Sequence, residues 1–230
     1  MVRSIVVLSV IDAIVEDLKS QVLRQELAPD TPLTEVEVAT RYDVARATAK
    51  AAIERLVADK VLVRKNHKTA RVVSLGPADA RDIYLARSYL EREALRQLAE
   101  RRVVPEAART ANEEIELAWQ QGRWDTVDAD LRFHTAMVDS LGSPRSSAAY
   151  GSLAFEVRLC LSQLQVSHLL SPEIIAADHA RIMDDLKLGD AEAATAMLQE
   201  HLARARELLV QALGGQPGPE AYAPSSALVH

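Results

Sequence analysis

Four side chains with metal-binding atoms, Asp130, His134, His179 and His201, occupy positions where helical periodicity calls for apolar core residues. Asp130 and His134 are four residues apart, so one helix face carries both. The stripe around them, Val127, Leu131, His134 and Val138, is otherwise apolar. His179 falls in the stripe Ile175, His179, Ile182 and Leu186, and His201 in Ala194, Leu198, His201, Ala205 and Leu208. An unpaired polar group in a core costs roughly 1–3 kcal/mol, and a charge more. Three helices that each give a core position to such a residue point to side chains that satisfy one another, most simply through a shared cation. Separately hydrogen-bonded core histidines are the alternative, and spacing does not choose between them. The other histidines, His67, His168 and His230, fall in a turn, a loop and the C-terminus.

Three histidines and a carboxylate suit zinc, nickel or manganese, with zinc placed first. Given open coordination positions, such an ion holds a carboxylate ligand directly; otherwise it is structural. The same set could activate water, which keeps a metal-dependent hydrolase or oxygenase open as a rival reading. Against it, no Glu, Tyr or Lys stands out by motif as a general base, and the Glu-x-x-His pattern of di-iron bundles is missing. A second buried charge is expected at Arg87, on the stripe Ile83, Arg87, Leu90, Ala94 and Leu98. A guanidinium facing a core needs an anion, either Glu91 one turn on or a bound carboxylate. Arg158, within Phe155-Glu156-Val157-Arg158-Leu159, is a second candidate of this kind.

The elements that must position these residues are helical. Gly76-Pro77 punctuates the chain, and beyond it the pattern predicts helices over 78–101, 105–118, 124–140, 146–166, 173–187 and 190–213. Asp190 is a good N-cap and Gly214-Gly215 a good stop. Before Gly76, residues 10–25 read as a helix with Ile11, Ile14, Leu18 and Val22 on one face. Pro29-Asp30-Thr31-Pro32 ends it. Thr34 and Glu37 form a capping box for a short helix to about Arg41. Tyr42-Asp43-Val44 makes a turn, and a third helix over about 45–58 buries Ala49, Ala52, Ile53 and Leu56. Val61-Leu62-Val63 and Arg71-Val72-Val73, around the polar run from Arg64 to Thr69, predict a two-stranded hairpin with a basic tip. Three helices closed by a hairpin make a winged helix-turn-helix. The expected fold class is therefore mainly α: a winged helix-turn-helix over 1–76, an all-α antiparallel helical bundle over 77–215, and a disordered tail over 216–230.

Composition agrees. With 48% hydrophobic and 26% charged residues and only 4% aromatic, the chain has the make-up of a soluble helical protein. A single cysteine, Cys160, excludes an internal disulfide and fits a reducing compartment. The run Ile5-Val6-Val7-Leu8 is too short for a signal or membrane segment, so a cytoplasmic location is expected. The net charge of −6 argues against a chain that coats nucleic acid throughout. Within 41–71, however, nine basic residues stand against three acidic ones. A basic patch on an acidic chain marks a place for a polyanion.

These residues resemble a known family. Leu33-Thr34-Glu35-Val36-Glu37-Val38-Ala39, Val44-Ala45-Arg46 and Ala51-Ala52-Ile53-Glu54-Arg55-Leu56 look like the winged helix of GntR-type bacterial transcription regulators. The helical remainder looks like the FCD effector domain of the FadR subfamily. The metal motif of that domain, Asp-x-x-x-His followed by two distant histidines, is met by Asp130, His134, His179 and His201. Arg87 with Glu91, Phe133 before His134, and Gly189-Asp190 with Ala193 are further matches. The resemblance covers about residues 10–213. Ala45 stands where the family has a serine, Lys50 where it has a second arginine, Ala51 where it has a glutamate, and Asp178 where a glutamate is common.

In a winged helix the third helix enters the major groove. That nominates Arg46, Thr48 and Lys50 as base-edge readers, with Arg46 first for a guanine contact. Lys50 lacks the guanidinium fork for guanine. Arg41, Arg64, Lys65 and Lys68 are read as phosphate contacts that fix position, and His67 as solvated. The resemblance further implies a homodimer on double-stranded operator DNA and a small carboxylate effector bound near the metal and Arg87. A constitutive architectural DNA binder remains the weaker alternative.

Overall fold

The computed structural model describes residues 9–65, 68–216 and 218. His67, Ile5–Leu8 and almost all of the expected tail lie outside the described residues. The chain divides into two compact units, Met1–Ser74 and Leu75–His230.

In the first unit α1 (Val10–Leu23), α2 (Glu35–Tyr42) and α3 (Arg46–Ala58) pack together. Helix α1 buries Ile14, Val15, Leu18 and Val22, so Val15 takes the core place expected for Ile11. Thr34 and Glu37 form the capping box at the start of α2. The turn into α3 runs through Asp43 in the left-handed region, φ 50°, which Asp tolerates better than most residues. Ala49, Ala52, Ile53 and Leu56 are the buried face of α3. The expected two-stranded hairpin is instead a three-stranded sheet in the order β1-β3-β2. β2 is Leu62–Val63 and β3 is Ala70–Val72; β1, Pro32–Leu33, adds to β3 with Leu33 opposite Ala70. Pro32 reads as a helix breaker, and a proline is also acceptable on a sheet edge.

The second unit is helical: α4 (Pro77–Arg101), α5 (Glu106–Gln120), α6 (Val127–Asp139), α7 (Pro144–Gly151), α8 (Ala154–Val166), α9 (Pro172–Leu188) and α10 (Ala191–Ala212). Helix α10 packs along α4 and α9, α5 along α6 and α9, and α6 also meets α4, α7 and α8. Two expectations are corrected. The single helix over 146–166 is broken into α7 and α8. Gly151 is a poor helix residue, the Ser152 hydroxyl bonds back to the Ala149 carbonyl, and the Leu153 amide closes a tight turn on Tyr150. The break lets Tyr150 face the interior on one segment and Val157, Cys160, Leu161 and Leu164 on the other. The helix expected from 124 starts at Val127, because the side chain of Gln165 on α8 accepts the Thr126 and Val127 amides and caps it there. Asp190 caps α10 through the Ala193 amide. Gly189, φ 79°, ends α9 where a Cβ would come within 2.9 Å of Arg102 Nε.

Candidate metal centre

Helices α6, α9 and α10 bring Asp130, His134, His179 and His201 to one point of the interior, with ligand atoms all within 4.8 Å of one another. None of the four is more than 3% exposed. Asp130 Oδ1 lies 3.5 Å from His179 Nε2 and 3.9 Å from His134 Nε2. The spacing of i and i+4 on α6 places Asp130 and His134 one above the other, while α9 and α10 each supply one imidazole.

Two of the rings are held from behind. Glu91 Oε2, on α4, is 2.7 Å from His134 Nδ1. Asp178 Oδ2, on α9, is 3.1 Å from His201 Nδ1 and also accepts from Arg204. A carboxylate on Nδ1 fixes the proton there and turns the Nε2 lone pair to the other side, toward the cluster. His179 is placed differently, stacked flat on Phe133 at 3.6 Å between ring centres. Its two nitrogens, His134 Nε2 and Asp130 Oδ2 are all buried without a hydrogen-bond partner. Burial, with the neighbouring imidazoles, holds His179 well below the ordinary histidine range, so it is a neutral donor. An apolar core that leaves Asp130 Oδ2, His134 Nε2 and both His179 nitrogens unpaired is costly, and a divalent cation would satisfy one atom from each of the three residues. The donor set fits the metal implied by its residue types.

Arg87 lies beside this group on α4. Its Nε donates to Glu91 Oε1 at 2.9 Å, and Tyr150 donates to the same oxygen at 2.7 Å. Burial alone would raise the Glu91 carboxyl, but Arg87 and His134 hold it well below the usual carboxylate range. Arg87 Nη2 and the Tyr84 hydroxyl are buried without a partner. Sequence spacing paired Glu91 with Arg87 but did not reveal its hold on His134. The role of Asp178 was likewise hidden, because it requires the crossing of α9 and α10. Arg158 does not join the group: it is 40% exposed and pairs with Asp128 at 2.6 Å.

In the first unit, Arg46 and Lys50 share an exposed flank of α3, and Thr48, half-buried, sits on the opposite flank. Ala45 gives α3 no side-chain cap. Arg41 donates to Gln21 at 3.1 Å, and Arg64 pairs with Glu54 at 2.5 Å. Lys65 and Lys68 are exposed.

Residues 10–72 match the bacterial regulatory proteins of the gntR family, and residues 82–204 match the FCD domain. The chain is 25% identical over 208 residues to the HTH-type transcriptional regulator BphR of Paraburkholderia xenovorans strain LB400, covering 84% of this chain and 82% of that protein. Two solved structures share its fold at 20% identity. One is a GntR transcriptional regulator from Rhodococcus sp. RHA1, with TM-score 0.75 over 88% of this chain and 98% of the other. The other is McbR/YncC of E. coli, with TM-score 0.68 over 90% and 99%. Among the described residues, no helix is long and apolar enough to cross a membrane.

Proposed function

The chain belongs to the gntR family of bacterial regulatory proteins and carries an FCD domain, and from that premise we propose that it is a dimeric repressor released from operator DNA by a small carboxylate held at a divalent metal. The family is one of transcription regulators, so the reading of this chain as a hydrolase or oxygenase is not favoured. The observation that carries the metal is the convergence of buried ligand atoms from Asp130, His134, His179 and His201, with unpaired atoms on the first three. Glu91 and Asp178 orient two of the four donors, a feature of built metal sites more than of accidental ones. When bound, the ion supplies positive charge in a low-dielectric interior, where a carboxylate is held far more strongly than in water. Zinc is favoured by three imidazoles and one carboxylate; nickel and manganese share that preference in part.

For the effector, the supporting observation is that Arg87 keeps Nη2 unpaired beside the cluster. On the DNA side we assign Arg46, Thr48 and Lys50 to base edges, and Arg41, Arg64, Lys65 and Lys68 to phosphates. The pairings of Arg41 with Gln21 and Arg64 with Glu54 would be exchanged for DNA contacts or would orient the guanidinium groups toward them. A homodimer would present two α3 helices to an inverted repeat. Sequencing the DNA that the protein retains from its own genome tests the reading. An inverted-repeat motif upstream of a small set of operons is expected, and retention without sequence preference would contradict it.

A further inference from the structure

One turn from the metal cluster, a small chamber of about 20 Å³ opens against Asp130. Val127, Leu161, Leu164, Leu170 and Ile175 supply its apolar walls, and Trp124 and Gln165 also line it. Its position follows from the helices. Val127 precedes Asp130 by one turn on α6, and Ile175 precedes His179 by one turn on α9, so the chamber continues the cluster by about 5 Å. Asp130 belongs to both, and its Oδ2 is buried without a partner. Among the described residues, Asp130 is the one charged residue of the lining, and no lysine, arginine or histidine lines the chamber.

Part of the chamber's wall comes from loops rather than helices. Trp124 lies in the loop ahead of α6, half-buried, and its ring stacks at 4.3 Å on His168, an exposed residue with φ 50°. With Trp124 in place the chamber has room for about one water molecule. Thr126 and Leu170, also in loops, are buried, and the other walls come from α6, α8 and α9.

We propose that this chamber receives the tail of the effector, and that the effector is a monocarboxylate with a short apolar tail. This rests on the metal-centred reading above. A carboxylate at the cluster directs the rest of a small molecule either back into packed helices or along this chamber. An apolar tail there displaces water and Trp124 from leucine and isoleucine side chains, a gain of about fourfold in affinity per buried methylene. A second carboxylate there would be buried among apolar walls with no lysine, arginine or histidine to pair with it, so dicarboxylates are excluded by desolvation.

The test uses the full chain carrying Trp119→Phe, which leaves Trp124 as the single indole, loaded with whichever of zinc, nickel or manganese it retains. Acetate, propionate, butyrate, valerate and succinate are titrated while Trp124 emission and heat are followed. Affinity is expected to rise about fourfold per carbon from acetate until the chamber is filled, with a change in Trp124 emission. Succinate should bind about tenfold weaker than butyrate, or worse. Leu161→Phe should remove the gain from longer tails and leave acetate unchanged. If acetate binds but the series is flat, or succinate matches butyrate, the chamber is not the tail site, although the carboxylate reading survives. If no carboxylate in the series binds the metal-loaded protein, both fall.

Discussion

The Glu91 carboxylate lies 2.7 Å from His134 Nδ1, and both side chains are 1% exposed. The same carboxylate pairs with Arg87, so one residue of α4 ties the arginine to His134 of the buried cluster. A change at Arg87 therefore reaches His134, and loss of the arginine is expected to lower metal affinity as well as effector response.

Glu91→Gln is expected to weaken metal binding by about 10–100-fold while the four donors remain. A competition titration against a chromophoric chelator checks this. Unchanged affinity would mean that packing alone orients His134.

His179→Phe should abolish metal binding and, in metal-free protein, raise stability. The substituted ring keeps the stack on Phe133 and removes two buried unpaired nitrogens, each costing about 1–3 kcal/mol. Thermal unfolding in chelator, compared with elemental analysis of protein purified without it, measures both effects. A loss of stability in chelator would show that His179 has a protein partner the metal-free state depends on.

The Glu91 carboxyl is depressed in the folded protein, so its contribution to stability is present above the unfolded carboxyl range, about 4.3, and is lost as pH falls below it. Glu91→Gln should therefore flatten the acid limb of stability against pH below about 5. Near neutral pH the variant should be less stable by roughly 3–5 kcal/mol, because Arg87 is left buried and unpaired. Denaturant melts from pH 3 to 7 read both.

Much of this was legible in the sequence, and what was hidden has a common cause. The residues of the buried cluster show because each breaks an apolar stripe, a signal local to one helix. The capping box at Thr34 and the cap at Asp190 show for the same reason. Hidden were the break between α7 and α8, the start of α6 and strand β1. Each is decided by a group distant in sequence or by a weak local preference: Gln165 caps α6, and Ala70 pairs with Leu33. Arg158 looked like Arg87 in its surroundings along the chain, but Asp128 on α6 holds it at the surface.

For DNA, Arg46→Ala should cost about 1–3 kcal/mol in operator affinity and relax preference at one base position per half-site. Lys65→Ala and Lys68→Ala should weaken all sequences alike and lower the salt slope by about one each. Binding isotherms at several salt concentrations on operator and scrambled DNA separate the two classes. Equal losses on both DNAs for Arg46→Ala would remove it from the base-reading set.

The most direct measurement of the account is operator affinity titrated with butyrate, once on metal-loaded and once on chelator-stripped protein. The account predicts that butyrate weakens operator binding of the loaded protein by about 5–150-fold, the usual span of such coupling, and leaves the stripped protein unchanged. An equal response in both states, or no response in the loaded protein to any carboxylate of the series, would contradict it.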